Sequence, residues 1–232
     1  MQSRSPAVLA AASGAAAAAY SPCVDTEDVR LAVYRSFAVT GRAPERGSLD
    51  VRALRELHGQ RHVVLGPDDR IVMAHPFSAV PLGFSVMGRE TLWWGGCAWD
   101  SFALAHLLPE EPDVLVATRC PGCGAALAWV VGRDAPPPGG EVAHFLTPAA
   151  RMWDDVVHTC GNQRLFCREA CVARWLARTG RERGYVMDLP TLWALARGWY
   201  EGRLERGYQR REPSEAREYF RSAGLCGAFW GL

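Results

Sequence analysis

The first third of the chain shows hydrophobic positions at helical and then at strand-like spacing. Apolar side chains between Val29 and Phe37 recur at helical spacing after Asp25, a residue type that caps helix N-termini. The pattern predicts a helix that begins after Asp25, a second helix at 48–58, and a β-hairpin formed by 62–65 and 71–73. Helix, helix and hairpin is the pattern of a winged-helix module, which we assign to 23–80.

Short strand-like runs replace this pattern beyond Val80. Strands are predicted at 84–86, 91–94, 114–117 and 142–145, and helices at 97–108, 168–179 and 189–206. The chain is therefore expected to have an α+β fold. It would consist of a mixed or antiparallel sheet core with flanking helices, preceded by the small winged-helix-like helical module.

The same pattern divides the chain into four segments. We expect a disordered leader at 1–22, the winged-helix-like module at 23–80, a main domain at 81–202 and a C-terminal extension at 203–232. The leader is alanine-rich with Arg4 as its one positive charge, a poor signal-peptide pattern, so a cytoplasmic location is expected. The C-terminal extension has a basic bias, which is typical of a solvated face. The bias is due to Arg203, Arg206, Arg210, Arg211, Arg217 and Arg221.

The overall charge argues against two classes of partner. A net charge of +1 provides no global attraction to nucleic acid or to an anionic membrane, and neither N-terminal helix shows a basic face. No apolar run reaches the roughly 20 residues that a bilayer-spanning helix needs. We therefore expect neither nucleic acid nor a membrane as a partner.

The cysteines are the most informative residues, because they are grouped along the chain. Grouped cysteines in a reducing compartment are typical of metal or thiolate chemistry. Cys120 and Cys123 flank a glycine turn, and Cys167 and Cys171 stand at the start of a predicted helix. Two such pairs in separate turns are typical of a structural tetrahedral zinc site, so these four residues are candidate zinc ligands.

A second candidate site begins where a predicted strand ends at Gly95 and Gly96. Cys97 follows in the first turn of a helix, where unpaired N–H groups and the helix dipole should lower the pKa of its thiol. Asp100 lies three residues later on the same helix face, so the pair could supply a nucleophile and a proton donor. The alternative interpretation is a packed apolar cysteine followed by an ordinary capping carboxylate.

Cys160 stands apart from both groups, after the strand-like Val156-Val157 and before a glycine. A lone cysteine in this position is more often structural than reactive. His158 is a candidate base beside it, although a histidine in a strand is more often structural.

Residues 95–108 resemble the active-site helix of the organomercurial (alkylmercury) lyases, which carries a cysteine and, three residues later, an aspartate. Cys97 and Asp100 match that pair. Cys160, placed after a long loop, matches the second catalytic cysteine of the family. The similarity extends over 29–199 and includes the N-terminal helical module.

The resemblance implies protonolysis of a carbon–mercury bond, with 81–202 as the catalytic domain. Cys97 and Cys160 would bind mercury as thiolates, and Asp100 would deliver a proton to the departing carbanion. Mercury is thus substrate and product, and no organic cofactor is implied. The hydrocarbon would leave freely, and Hg(II) would leave to small thiols or to a mercuric reductase. Trp93, Trp94 and Trp99 are core residues by default, and the alternative is that these tryptophans beside Cys97 line an apolar pocket for the organic group.

Other classes of function remain open. One is a cysteine-rich protein that binds or senses zinc or another soft metal, and another is a winged-helix regulator with a metal-responsive core. A lyase that has diverged to another pathway is a further alternative, because Cys123, Cys167 and Cys171 have no counterpart in the family. Asp100 favours the enzyme, since a sensor needs no proton donor beside Cys97.

Overall fold

The computed structural model describes residues 24–232, so the predicted leader at 1–22 lies outside the described residues. The helices are α1 (Thr26–Thr40), α2 (Val51–Gly59), α3 (Ala98–Leu107), α4 (Val156–Gly161), α5 (Glu169–Thr179), α6 (Leu189–Arg197) and α7 (Pro213–Ser222). The strands are β1 (Val64–Leu65), β2 (Ile71–Ala74), β3 (Phe77–Ser78), β4 (Phe84–Met87), β5 (Leu92–Gly95), β6 (Asp113–Arg119), β7 (Ala126–Gly132), β8 (Val142–Phe145), β9 (Gln163–Phe166) and β10 (Tyr185–Asp188). In this part of the chain, no helix is long and apolar enough to cross a membrane.

The strands form two antiparallel sheets in the described part of the chain. The larger sheet has the order β1-β2-β3-β5-β4-β6-β7, and the smaller one has the order β10-β8-β9. Every pairing is antiparallel, which confirms the predicted α+β fold with an antiparallel sheet. Strands β1 to β3 belong to the larger sheet, so the segment 23–80 shares it with the residues that follow. The winged-helix character of that segment and the other segment boundaries stay predictions.

Two aspartates define where the N-terminal helices begin. The Asp25 side chain accepts a hydrogen bond from the Glu27 backbone N–H at 2.9 Å and caps α1, as its residue type predicts. Asp50 accepts from the Ala53 backbone N–H at 2.8 Å and caps α2. The second helix therefore begins at Val51, a little later than the pattern predicts.

Helix α3 runs through the interior of the molecule. Its residues are apolar on nearly every side and nearly all are buried, as expected for a helix enclosed by other elements. It lies against β4 to β7 of the larger sheet and packs on α6. This packing holds the first turn of α3, which carries the candidate site, in a fixed position.

Two predicted elements differ from the structure. The helix expected at 189–206 ends at Arg197, because a glycine and a series of turns follow it. The strand-like Val156-Val157 instead begins helix α4, because the Asp155 side chain accepts a hydrogen bond at 2.9 Å from the backbone N–H three residues later and caps a helical turn. Cys160 therefore lies on a short helix rather than after a strand.

The expectation of a solvated basic face for 203–232 is wrong for Arg203, which is 4% exposed. Its guanidinium donates hydrogen bonds to the His75 carbonyl at 2.8 Å and to the Tyr208 hydroxyl at 3.0 Å. It also lies over the rings of Tyr200 and Tyr208. These contacts hold the start of the C-terminal extension against the interior of the protein. Arg206, in contrast, is exposed, as predicted.

Candidate active site

The turn between β5 and α3 sets the positions of Cys97 and Asp100. Cys97 is the N-cap of α3, and its Sγ accepts a hydrogen bond from the Asp100 backbone N–H at 3.4 Å. The preceding glycines have no room for a side chain: a Cβ at Gly96 would collide with the Asp100 carboxylate, and one at Gly95 with the Ser101 hydroxyl. The glycine pair therefore lets the strand backbone lie directly against the first turn of the helix.

One carboxylate oxygen is in contact with both candidate cysteines. Asp100 Oδ2 lies 3.3 Å from Cys97 Sγ and 3.8 Å from Cys160 Sγ. The Tyr200 hydroxyl donates a hydrogen bond to the other oxygen, Oδ1. Cys97, Asp100 and Cys160 are 2%, 1% and 5% exposed. The structure thus brings the three predicted residues into one buried cluster and adds Tyr200, which no local sequence pattern indicates.

Burial controls the protonation of this cluster. It raises the pKa of Asp100 to about 6, although hydrogen bonds from Tyr200 and Cys97 oppose the shift. Burial also raises the pKa of Cys97 well above its ordinary value. The prediction of a lowered Cys97 pKa is therefore wrong, because desolvation outweighs the helix N-terminus. For Cys160, a hydrogen bond with Cys97 lowers the pKa, but burial and Asp100 outweigh it and the net pKa is raised.

His75, rather than His158, is the histidine beside Cys160. Its Nε2 lies 3.5 Å from Cys160 Sγ, whereas His158 is exposed on α4. Burial, together with the positive charge of Arg203, lowers the pKa of His75 to about 3, so the ring is neutral at pH 7. His75, Asp100 and Cys160 each offer a ligand atom within 4.8 Å of the others. No local sequence pattern indicates His75, which follows β2 and is distant from both cysteines along the chain.

A cavity of about 1080 Å³ opens onto Cys97, Asp100 and Cys160. Large apolar side chains form much of its wall, namely those of Trp99, Trp153, Trp199, Phe220 and Trp230. Of the three tryptophans predicted beside Cys97, Trp99 thus lines the cavity. Trp93 is instead buried, with its ring N–H donated to the Phe37 carbonyl at 2.8 Å, and Trp94 is exposed on β5.

Four other cysteines form a second cluster. Cys120, Cys123, Cys167 and Cys171 place their sulfur atoms within 4.8 Å of one another. The structure therefore brings together the two pairs that the sequence analysis named as candidate zinc ligands. None of these four cysteines lines the cavity beside Asp100.

Comparison with known families decides what kind of protein carries this site. The sequence model described as alkylmercury lyase (MerB) matches residues 77–201, which is more than half of the chain. The chain belongs to the alkylmercury lyase family. Family membership makes it an alkylmercury-lyase-like enzyme, as the resemblance implied. A search of curated proteins finds no match.

The fold of this alkylmercury lyase family member also resembles that of solved structures. One of them is the mercury-bound form of MerB2, with a TM-score of 0.57 and 15% sequence identity. The alignment covers 78% of this chain and 97% of that chain. At such low identity the likeness concerns the fold alone.

The family match includes only part of the cavity. Cys97, Asp100, Cys160 and Tyr200 lie within the matched residues 77–201. His75 precedes the match, and the wall contributed by 203–232 follows it. The lyase family pattern therefore covers the sulfur and carboxylate groups, while part of the cavity wall is outside it.

Proposed function

We propose that this enzyme cleaves the carbon–mercury bond of organomercurials by protonolysis, using Cys97, Asp100 and Cys160. The observation that carries the proposal is the contact of a single carboxylate oxygen with two buried thiols, at 3.3 Å and 3.8 Å. Two thiols suit a soft, thiophilic metal, and the carboxylate adds a proton carrier that a simple binding site does not need.

Capture of the substrate would begin with one thiol. The sulfur of Cys97 or Cys160 replaces the leaving group X of R–Hg–X, so that a mercury–sulfur bond forms and X departs with the thiol proton. The second thiol then transfers its proton to the Asp100 carboxylate, and its sulfur also binds the mercury. Asp100 Oδ2 is in contact with both sulfurs, so either order of attack leaves it within reach of the transferred proton.

Bond cleavage would follow from the proton held on Asp100. The proton moves to the carbon bound to mercury, and the electron pair of the carbon–mercury bond becomes the new carbon–hydrogen bond. The hydrocarbon departs, Hg(II) remains on the two cysteine sulfurs, and Asp100 is a carboxylate again. Two external thiols then remove Hg(II) and return one proton to each cysteine.

Neighbouring residues would assist without entering these bonds. The hydrogen bond from Tyr200 holds Oδ1 of Asp100 and leaves Oδ2 directed at the sulfurs. The aromatic part of the cavity wall would hold the organic group of the substrate. Small thiols are the partners that this reaction would require, and a reducing cytoplasm would supply them. A mercuric reductase is an alternative consumer of the Hg(II) product.

Removal of the Tyr200 hydroxyl tests the positioning of Asp100. Tyr200→Phe is expected to slow hydrocarbon release roughly 10- to 100-fold, because a hydrogen bond to a charged group contributes about 1.5–3 kcal/mol. Binding of the organomercurial should not change, since both thiols remain. Single-turnover release is the measurement, and Tyr219→Phe is the matched control, since its hydroxyl donates to the Leu195 carbonyl instead. Wild-type release by Tyr200→Phe would contradict this role.

The proposed activity is tested by incubating the full chain with phenylmercuric acetate and excess small thiol. Benzene should appear in the headspace over many turnovers, at a rate proportional to protein concentration. A protein that binds the mercury compound stoichiometrically but forms no benzene would instead be a soft-metal-binding or sensing protein. Activity on another substrate alone would indicate a lyase that has diverged.

A further inference from the structure

The second cysteine cluster joins two parts of the fold. Cys120 and Cys123 lie in the turn that connects β6 and β7 of the larger sheet. Cys167 follows β9 of the smaller sheet, and Cys171 lies in the first turns of α5. All four sulfurs are within 4.8 Å of one another, and those of Cys123 and Cys167 are 3.5 Å apart. A zinc ion with bonds of about 2.3 Å to four sulfurs requires sulfur–sulfur distances of about 3.8 Å.

The β6–β7 turn is shaped so that its thiols reach the start of α5. The Gly124 backbone N–H donates to the Cys120 carbonyl at 2.8 Å, and Gly124 has a φ of 79°, which favours glycine. Gly122 lies so close to α5 that a Cβ there would collide with the Cys171 carbonyl. The Arg178 guanidinium donates to the Pro121 carbonyl at 2.5 Å and links the turn to the same helix.

We infer that Cys120, Cys123, Cys167 and Cys171 bind one structural zinc ion. Four thiolates fill a tetrahedral coordination shell and leave no position for a substrate, which is the arrangement of structural rather than catalytic zinc sites. Cys120 and Cys171 are buried, while Cys123 is exposed and offers a path by which the ion can enter. The cluster contains no carboxylate, so its ligands favour zinc over a hard ion such as magnesium or calcium.

The surroundings of the cluster suit its charge. Four thiolates and one zinc ion carry a net charge of about −2. Two arginines hydrogen-bond to the turn: Arg119 donates to the Gly124 carbonyl at 3.2 Å and Arg178 to the Pro121 carbonyl. Both side chains thus carry positive charge on the turn that holds Cys120 and Cys123, opposite in sign to the charge of the filled site.

The zinc ion would also restrain Cys160. Cys160 lies on α4, and β9 leads from that helix directly to Cys167. A zinc ion bound to Cys167 and to the β6–β7 turn would therefore cross-link the larger sheet to the segment that carries Cys160. The zinc site does not depend on the proposed lyase function. Only the significance of restraining Cys160 rests on that proposed function.

Metal analysis of the full chain, purified with reductant and without chelator, tests the inference. Wild type should contain about one zinc per chain, and replacement by Co(II) should produce the absorption bands of a tetrahedral thiolate site. Cys123→Ala and Cys167→Ala should each lose most of the metal and lower the Tm by roughly 5–10 °C, because metal binding stabilises the folded state. Cys226→Ala, which removes an exposed cysteine outside both clusters, should retain zinc and Tm.

A double variant locates the metal. Cys97→Ser combined with Cys160→Ser should keep its zinc if the four-cysteine cluster is the site, and loss of zinc in this protein would overturn the assignment. Wild type that contains no zinc and takes up no Co(II), or cluster variants that keep the metal, would also overturn it. None of these results depends on carbon–mercury cleavage, so a failure of the zinc inference is distinguishable from a failure of the proposed activity.

Discussion

Cys97→Ser and Cys160→Ser are each expected to reduce benzene release from phenylmercuric acetate by at least about 10³-fold. A hydroxyl is a poor ligand for a soft metal, so one remaining thiol would hold the mercury compound but could not complete the two-sulfur site. At this site, each variant should therefore hold at most one phenylmercury group and release almost no benzene. The measurement is headspace gas chromatography together with intact-protein mass spectrometry.

Both serine variants should remain folded, which makes their loss of activity interpretable. Serine is a good N-cap residue, so α3 should begin normally when it replaces Cys97. At position 160, a serine hydroxyl would have the Asp100 carboxylate and the His75 ring as neighbours, which are the present contacts of the Cys160 thiol. Cys226→Ser is the control for loss of a cysteine. Near-normal release by either site variant would contradict the two-thiol mechanism.

Asp100→Asn is expected to separate binding from cleavage. Both thiols remain, so the variant should bind phenylmercury with the same stoichiometry as wild type. Benzene release should nevertheless fall by about 10²- to 10⁴-fold, the usual contribution of general acid–base catalysis, because an amide cannot pass a proton from sulfur to carbon. The two quantities should be measured on the same samples, by mass spectrometry for bound mercury and by gas chromatography for benzene.

The structure of the site should tolerate this change. The amide has nearly the shape of the carboxylate, and its oxygen can accept the hydrogen bond that Tyr200 now donates to Oδ1. Removing a buried negative charge also removes its desolvation cost, so the Tm should not fall sharply. Asp134→Asn, in an exposed loop, is the control for loss of a carboxylate. Unchanged release by Asp100→Asn would mean that the proton comes from another group.

Local sequence signals predicted those parts of the fold that depend on neighbouring residues. The glycine pair before Cys97 and the apolar run after it were sufficient to place α3, and Asp25 was sufficient to begin α1. Strand β7 was missed, because its exposed positions are also apolar and conceal the alternation expected of a strand. Val130, for example, is 61% exposed and lies between the buried Trp129 and Val131.

The site was predictable only where its members are close along the chain or match a family pattern. Asp100 lies one helical turn from Cys97, but Tyr200 reaches its carboxylate from a distant turn, after α6 ends earlier than its apolar pattern suggests. His75 likewise lies in another part of the chain, in the turn that follows β2. The pKa of Cys97 was predicted in the wrong direction, because local reasoning includes the helix N-terminus but not the burial produced by the whole fold.

Single-turnover reaction in D₂O tests the central claim most directly. Reduced wild-type protein is mixed with one equivalent of phenylmercuric acetate in the absence of other thiols, and both products are quantified. Protonolysis by exchangeable groups predicts about one benzene per chain, carrying one deuterium, and one Hg(II) retained on Cys97 and Cys160. Intact phenylmercury bound to the protein, with no benzene released, would contradict the account and would make this cluster a binding site rather than a catalytic one.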